Sequence, residues 1–223
     1  MEYDILTCST KEEVVGKSYP QCKGMPSGYG FTKEWFEKSN SMTKLNNNAF
    51  PNAQPELLFE LEEDANLTDL LSPSNISARG LLLSQRAKEV FENSTMIEHK
   101  FYPASVKFNE KNYKYEWLHL VKGDLFGVDF SASSFQVTNL AFVKINDLKL
   151  SSYDEFLKEK SELKMKHIRA SRLILDKDYA KNSYDLLMFP FIHSNIFISK
   201  RLVNQIETKG LTGFSFIKQN ILS

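Results

Sequence analysis

Cysteine is nearly absent from this chain: Cys8 and Cys22 are its two cysteines, and their spacing is neither that of a CxxC redox pair nor that of a zinc knuckle. That excludes a disulfide framework, and two free thiols in a reducing compartment are expected. Long apolar runs are missing too. No stretch approaches the roughly 20 apolar residues that a membrane-crossing helix needs. Residues 1–10 mix Glu2 and Asp4 among their apolar side chains, where a signal peptide would have a basic start and an apolar core. Neither sign of charge dominates, since Lys+Arg 28 and Asp+Glu 28 balance. With no net field to gather nucleic acid or an anionic membrane, the expectation is a soluble cytoplasmic protein with neither as a partner.

Catalytic motifs are also wanting. Gly16-Lys17-Ser18 imitates the end of a phosphate-binding loop, but Lys11 stands where that motif requires a glycine. Gly24, Gly28 and Gly30 lack the strand-to-helix setting of a dinucleotide fingerprint and read as turn residues. His99, His119, His167 and His193 are scattered, with no HExxH and no pair at helical spacing. Ser84 and Ser199 follow apolar strands as a nucleophilic serine does, yet their neighbours Leu83, Gln85, Ile198 and Lys200 are not the glycines that a nucleophile elbow needs. Asp124 and Asp129 are the best-placed pair of carboxylates. Brought near a histidine they would suit a small hydrolase; alone they read as a solvated turn. No residue stands out as catalytic, cofactor-binding or metal-binding, and no cofactor is expected.

What is present is a repeated block. Leu81-Leu82-Leu83-Ser84-Gln85-Arg86 is followed by Ala87, Val90 and Phe91, and Ile196-Phe197-Ile198-Ser199-Lys200-Arg201 by Leu202, Val203 and Ile206. Each copy reads as a buried strand, a serine cap and an amphipathic helix, the serine oxygen accepting an otherwise unpaired N–H of the first helical turn. Around these blocks, residues 3–7, 56–62, 140–145, 169–175, 186–192 and 213–217 read as strands, and 152–166 as an amphipathic helix. Residues 100–108 and 113–121 form a hairpin about Asn109-Glu110-Lys111-Asn112. A helical turn is expected at 32–38, and Gly210 sits where a helix-ending left-handed residue belongs.

With 223 residues and 42% hydrophobic content the chain can bury a real core. Strands outnumber helices without strict alternation, so the expected class is α+β: a mixed, largely antiparallel sheet with a few short amphipathic helices, in two lobes if the repeated block marks a distant duplication. The domain reading is a loop-rich N-terminal region, 1–55, packed on a main domain, 56–223, with candidate halves 56–135 and 136–223.

Thr68-Asp69-Leu70-Leu71, Leu82-Leu83-Ser84-Gln85-Arg86-Ala87-Lys88-Glu89-Val90, the segment 121–134, and Ile198-Ser199-Lys200-Arg201 through Gly210-Leu211-Thr212-Gly213-Phe214 carry a resemblance. The chain resembles the immunity-protein-like domains of bacterial polymorphic toxin systems over residues 56–217. That resemblance implies a cytoplasmic, non-catalytic protein that binds and neutralises a cognate toxin, and it carries over no catalytic residue. The alternatives are the hydrolase near Asp124 and Asp129, or an adaptor or scaffold module. Residues 46–77 contain no basic side chain, so Glu56, Glu60, Glu62, Glu63, Asp64 and Asp69 are the candidate partner-binding residues, an acidic surface able to steer a basic partner.

Overall fold

The structure, a computed structural model, describes residues 1–24, 37, 38, 40–121, 125–189, 192 and 195–222. In chain order the strands are β1 (Tyr3–Cys8), β2 (Leu57–Glu60), β3 (Leu70–Leu71), β4 (Gly80–Ser84), β5 (His99–Phe108), β6 (Lys111–Leu120), β7 (Ser134–Thr138), β8 (Lys144–Leu148), β9 (His167–Arg172), β10 (Leu186–Met188), β11 (Ile196–Ser199) and β12 (Phe214–Lys218). The helices are α1 (Glu12–Val15), α2 (Gln85–Glu92), α3 (Tyr153–Glu162), α4 (Lys177–Ala180) and α5 (Lys200–Thr208). Three sheets result, ordered β2-β5-β6-β4-β3, β10-β11-β1-β12 and β8-β7-β9. Only the β2–β5 pairing among these strands is parallel, so the fold is α+β and mostly antiparallel.

Burial on both faces of the first sheet explains its unbroken apolar strands. Leu81 and Leu83 of β4 and Leu118 and Leu120 of β6 face a core shared with α2, α5 and the second sheet. Their neighbours Leu82, Tyr115 and Trp117 face a second core completed by Cys22, Met42 and Leu45. Because successive side chains alternate across a strand, a strand sandwiched between two cores must be apolar at every position. The loop-rich N-terminal stretch thus supplies one wall of the second core. Gly80 has no room for a side chain, since an added Cβ would lie 2.4 Å from the Leu118 carbonyl oxygen.

The long hairpin forms as the sequence suggests, with a tighter turn. Asn109 and Glu110 both take positive φ, 48° and 59°, matching the right-handed twist of β5 and β6 as a two-residue hairpin turn requires. The β1 strand lies between β11 and β12, antiparallel to both, so residues 3–8 are interior to a sheet otherwise built from the C-terminal third. The candidate dividing line at 135/136 falls within β7.

The two serine-arginine blocks lie in matching surroundings. In the first sheet, β3 pairs with β4, α2 follows, and β5 lies one strand beyond β4 with antiparallel β6 between them. In the second, β10 pairs with β11, α5 follows, and β12 lies one strand beyond β11 with antiparallel β1 between them. The same four-strand plan is built twice, and β1 takes the place in the second sheet that β6 takes in the first.

The region expected as a strand at 140–145 is largely a turn. The β8 strand begins only at Lys144, and Phe142 adopts φ 61°. Helix α3 ends at Glu162, short of the expected 166, and the helical turn expected at 32–38 falls mostly outside the described residues.

Candidate functional site

Each serine of the repeated block holds a buried carboxylate. Ser84 Oγ accepts the Ala87 N–H at 3.2 Å, capping α2, and donates to Asp69 Oδ1 at 2.6 Å. Ser199 Oγ accepts the Leu202 N–H at 3.1 Å, capping α5, and donates to Asp185 Oδ1 at 2.5 Å. The backbone repeats the pairing: Ser84 N–H donates to the Asp69 carbonyl and Ser199 N–H to the Asp185 carbonyl, both at 2.8 Å. Arg201 grips Asp185 with two nitrogens, Nε at 3.0 Å and Nη2 at 2.7 Å, whereas Arg86 approaches Asp69 only to 3.8 Å. Burial works against the Asp185 charge, but Arg201, Ser199 and the Thr95 N–H outweigh it and hold the carboxyl below its ordinary pKa. Both serine hydroxyls are therefore committed to structure, each donating to a carboxylate that is itself fully engaged.

The two serine-arginine blocks are clasped crosswise at these carboxylates. Thr95, just beyond α2, donates its N–H to Asp185 Oδ2 at 3.1 Å and accepts the Asp185 N–H at its carbonyl, 2.6 Å. Thr212, beyond α5, donates its N–H to Asp69 Oδ2 at 2.9 Å and accepts the Leu70 N–H at its carbonyl, 3.0 Å. Gly213 then turns at φ 87°, where an added Cβ would sit 2.2 Å from the Leu70 carbonyl oxygen. The Leu-Thr-Gly-Phe turn that carries part of the sequence resemblance is thus the clasp on the first block. Gly210, at φ 59°, ends α5 as expected, its N–H bonding Glu207 and that of Leu211 bonding Ile206.

The acidic segment divides. Asp69 is buried in the clasp, and Glu60 is nearly so, its carboxylate 2.8 Å from Lys23 Nζ. Glu56 is exposed and 3.9 Å from Lys38, while Glu63 and Asp64 are exposed and Glu62 half-buried. Glu60 and Glu63 line one recess with Lys23, whose pKa is raised chiefly by its hydrogen bond to Glu60, with Glu62 and Glu63 adding to it, whereas Asp69 is turned into the fold.

Asp124 and His193 lie outside the described residues. Asp129 closes a local turn, accepting the Ser131 hydroxyl at 2.7 Å and the Ala132 N–H at 3.0 Å, bonds that lower its pKa. His119 is buried with Nε2 2.7 Å from the Asn46 carbonyl, His99 Nδ1 lies 2.8 Å from the Ile97 carbonyl, and the His167 ring lies against Phe142. Among the described residues no three His, Cys, Asp or Glu side chains come together as metal ligands. Cys8 and Cys22 are unpaired thiols, pushed by burial to about 11 and about 12. None of the described helices is long and apolar enough to cross a membrane.

Two surface features escaped the sequence reading. A recess of about 380 Å³ lies between α2 and α5, lined by Val90, Asn93, Asn204, Gln205 and Thr208 among others. The other is the tip between β7 and β8, where Leu140, Phe142, Val143 and Ile145 are 56%, 58%, 60% and 49% exposed. A soluble surface rarely concentrates that much aliphatic and aromatic area in one turn. The sequence signal was the run Leu140-Ala141-Phe142-Val143, which reads equally well as a buried strand.

Residues 17–220 match the family described as Immunity protein family (Imm11). Among curated proteins none matches the chain. The match takes in most of the N-terminal stretch that the resemblance over 56–217 left aside.

Proposed function

The chain belongs to the Imm11 immunity protein family, and from that membership we propose that it is a cytoplasmic immunity protein of a bacterial polymorphic toxin system, which binds its cognate toxin and neutralises it by occupancy rather than by catalysis. The family match over residues 17–220 carries this reading. It is supported by the use made of the two serines, whose hydroxyls cap helices and hold buried carboxylates instead of facing a substrate. A competing contact, argued from charge alone, is the acidic set Glu56, Glu62, Glu63 and Asp64, because Glu60 and Asp69 are engaged within the fold. The test is co-expression with the toxin encoded by the adjacent gene. Growth rescue together with a stoichiometric complex is expected; a toxin that kills equally well in the presence of the folded protein overturns the proposal.

A further inference from the structure

The third sheet presents an interaction surface with three separate features. First, β8 is an edge strand whose outer side pairs with no other strand among the described residues. Its pairing to β7 shifts between Val137 and Thr138, which lie opposite Asn146 and Lys144 and leave Ile145 bulged outward. Unpaired strand edges are templates for a further strand. Second, the turn ahead of β8 holds Phe142 at φ 61°, a backbone region that a bulky side chain rarely adopts and that Gly or Asn takes at lower cost. The ring is nonetheless 58% exposed. It is not loose, because the Arg169 guanidinium lies 4.7 Å from its centroid and the His167 ring 5.6 Å away. The fold thus keeps an aromatic side chain oriented outward at a position where a smaller residue would sit more easily, an arrangement that lowers the ordering cost of a contact. Third, the surroundings are basic. Lys144 and Lys149 flank the hairpin, and Lys164, Met165 and Lys166 lead into His167 and Arg169. Against them stand Asp147, already paired to Lys144 at 2.7 Å, and Glu155, which lines the same recess as Lys149.

We propose that this hairpin is where the toxin docks: a protein that adds an extended segment to β8, receives Phe142 and Val143 in an apolar recess, and sets carboxylates against Lys164 and Lys166. This rests on the toxin-binding reading above and names its contact face. A second copy of the chain fits less well, because a two-fold interface would bring the same lysines against one another. An anionic membrane would accept the lysines and the aromatic ring, but it offers no strand for the β8 edge.

The experiment measures binding of an inactivated form of the toxin domain encoded beside this protein to the wild type, to Phe142→Asn/Val143→Ser, and to Lys164→Glu/Lys166→Glu. All three proteins fold alike, because the altered side chains are exposed and Asn tolerates the Phe142 backbone; circular dichroism and thermal unfolding check this. The hairpin variant is expected to lose at least about thirtyfold in affinity, the size of a central contact. The charge variant is expected to bind more slowly at low salt. A wild type that does not bind the toxin overturns both proposals. A wild type that binds, with variants that bind equally, overturns the hairpin alone and returns the contact to the acidic segment or the α2–α5 recess. Hairpin-dependent co-sedimentation of the toxin-free protein with phosphatidylglycerol vesicles, or hairpin-dependent dimerisation in sedimentation, also overturns it.

Discussion

Thr212 donates its backbone N–H to the Asp69 carboxylate at 2.9 Å, joining positions 143 residues apart. Asp69 receives the Ser84 hydroxyl as well, so one carboxylate ties the start of α2 to the exit of α5. Asp69→Ala is expected to cost about 1–3 kcal/mol, since it leaves the N–H of Thr212 and the hydroxyl of Ser84 without their acceptor in a part-buried setting. Gly213→Ala should destabilise by a similar amount through collision with the Leu70 carbonyl and the strain of φ 87°. Chemical denaturation of both variants is the check.

The serine at the second block should matter more than its counterpart. Ser199 is fully buried and Ser84 half-buried. Ser199→Ala removes a cap and a hydrogen bond to a carboxylate, about 2–3 kcal/mol together, and Ser84→Ala about 1–2 kcal/mol. If either serine were a nucleophile, alanine would abolish function while sparing stability; the expected result is lost stability, with toxin binding kept under conditions where the variant remains folded.

Acid should weaken the fold in two stages. His119 is buried, and desolvation lowers its pKa despite the bond to the Asn46 carbonyl. The unfolded chain therefore takes up a proton near pH 6.5 that the folded chain refuses, so the contribution of His119 is complete above that pH and lost as pH falls toward the depressed folded value. Asp185 is also depressed, so its contribution is complete above the ordinary carboxylate range and lost as pH falls through that range to its folded value. Denaturation midpoints measured from pH 8 to pH 3 should decline first near pH 6, and His119→Gln should flatten that first stage.

The acidic segment offers a contrast within a few residues. Glu60→Gln breaks the ion pair with Lys23 and should cost about 1 kcal/mol. Glu62→Gln/Glu63→Gln should leave stability within about 0.5 kcal/mol. With the hairpin as the contact, toxin affinity of the double variant at physiological salt stays within about twofold of wild type, because exposed charges that do not touch the partner are largely screened. Stopped-flow association at low salt decides the matter, and a clear slowing would place the acidic segment at the contact.

Local chemistry was legible in the chain. Capping serines, the hairpin between β5 and β6, the left-handed Gly210 and the strand within 56–62 each follow from neighbours a few positions away. What was not legible is how these pieces meet. Asp69 belongs to a run of like charge, and its inward turn depends on Ser84 and Thr212, far along the chain. A signal did exist: Asp-Leu-Leu stands at 69–71 and again at 185–187, at nearly the same distance ahead of each capping serine. Phe142 failed for the opposite reason. Composition places an apolar run in a core, whereas at this turn the chain reverses over Arg169 and holds the ring at the surface.

The place of β1 between β11 and β12 has a consequence for biosynthesis. Residues 3–8 find their partners at 196–199 and 214–218, so the second sheet cannot close until nearly 200 further residues have left the ribosome. Until then β1 is an apolar strand with both edges open, which is the situation in which nascent chains aggregate or recruit chaperones. The first sheet has no such wait, since β2 to β6 are consecutive, and it can form while translation continues. A ribosome that stalls before residue 196 therefore leaves β1 without either partner strand, however well the first sheet has folded.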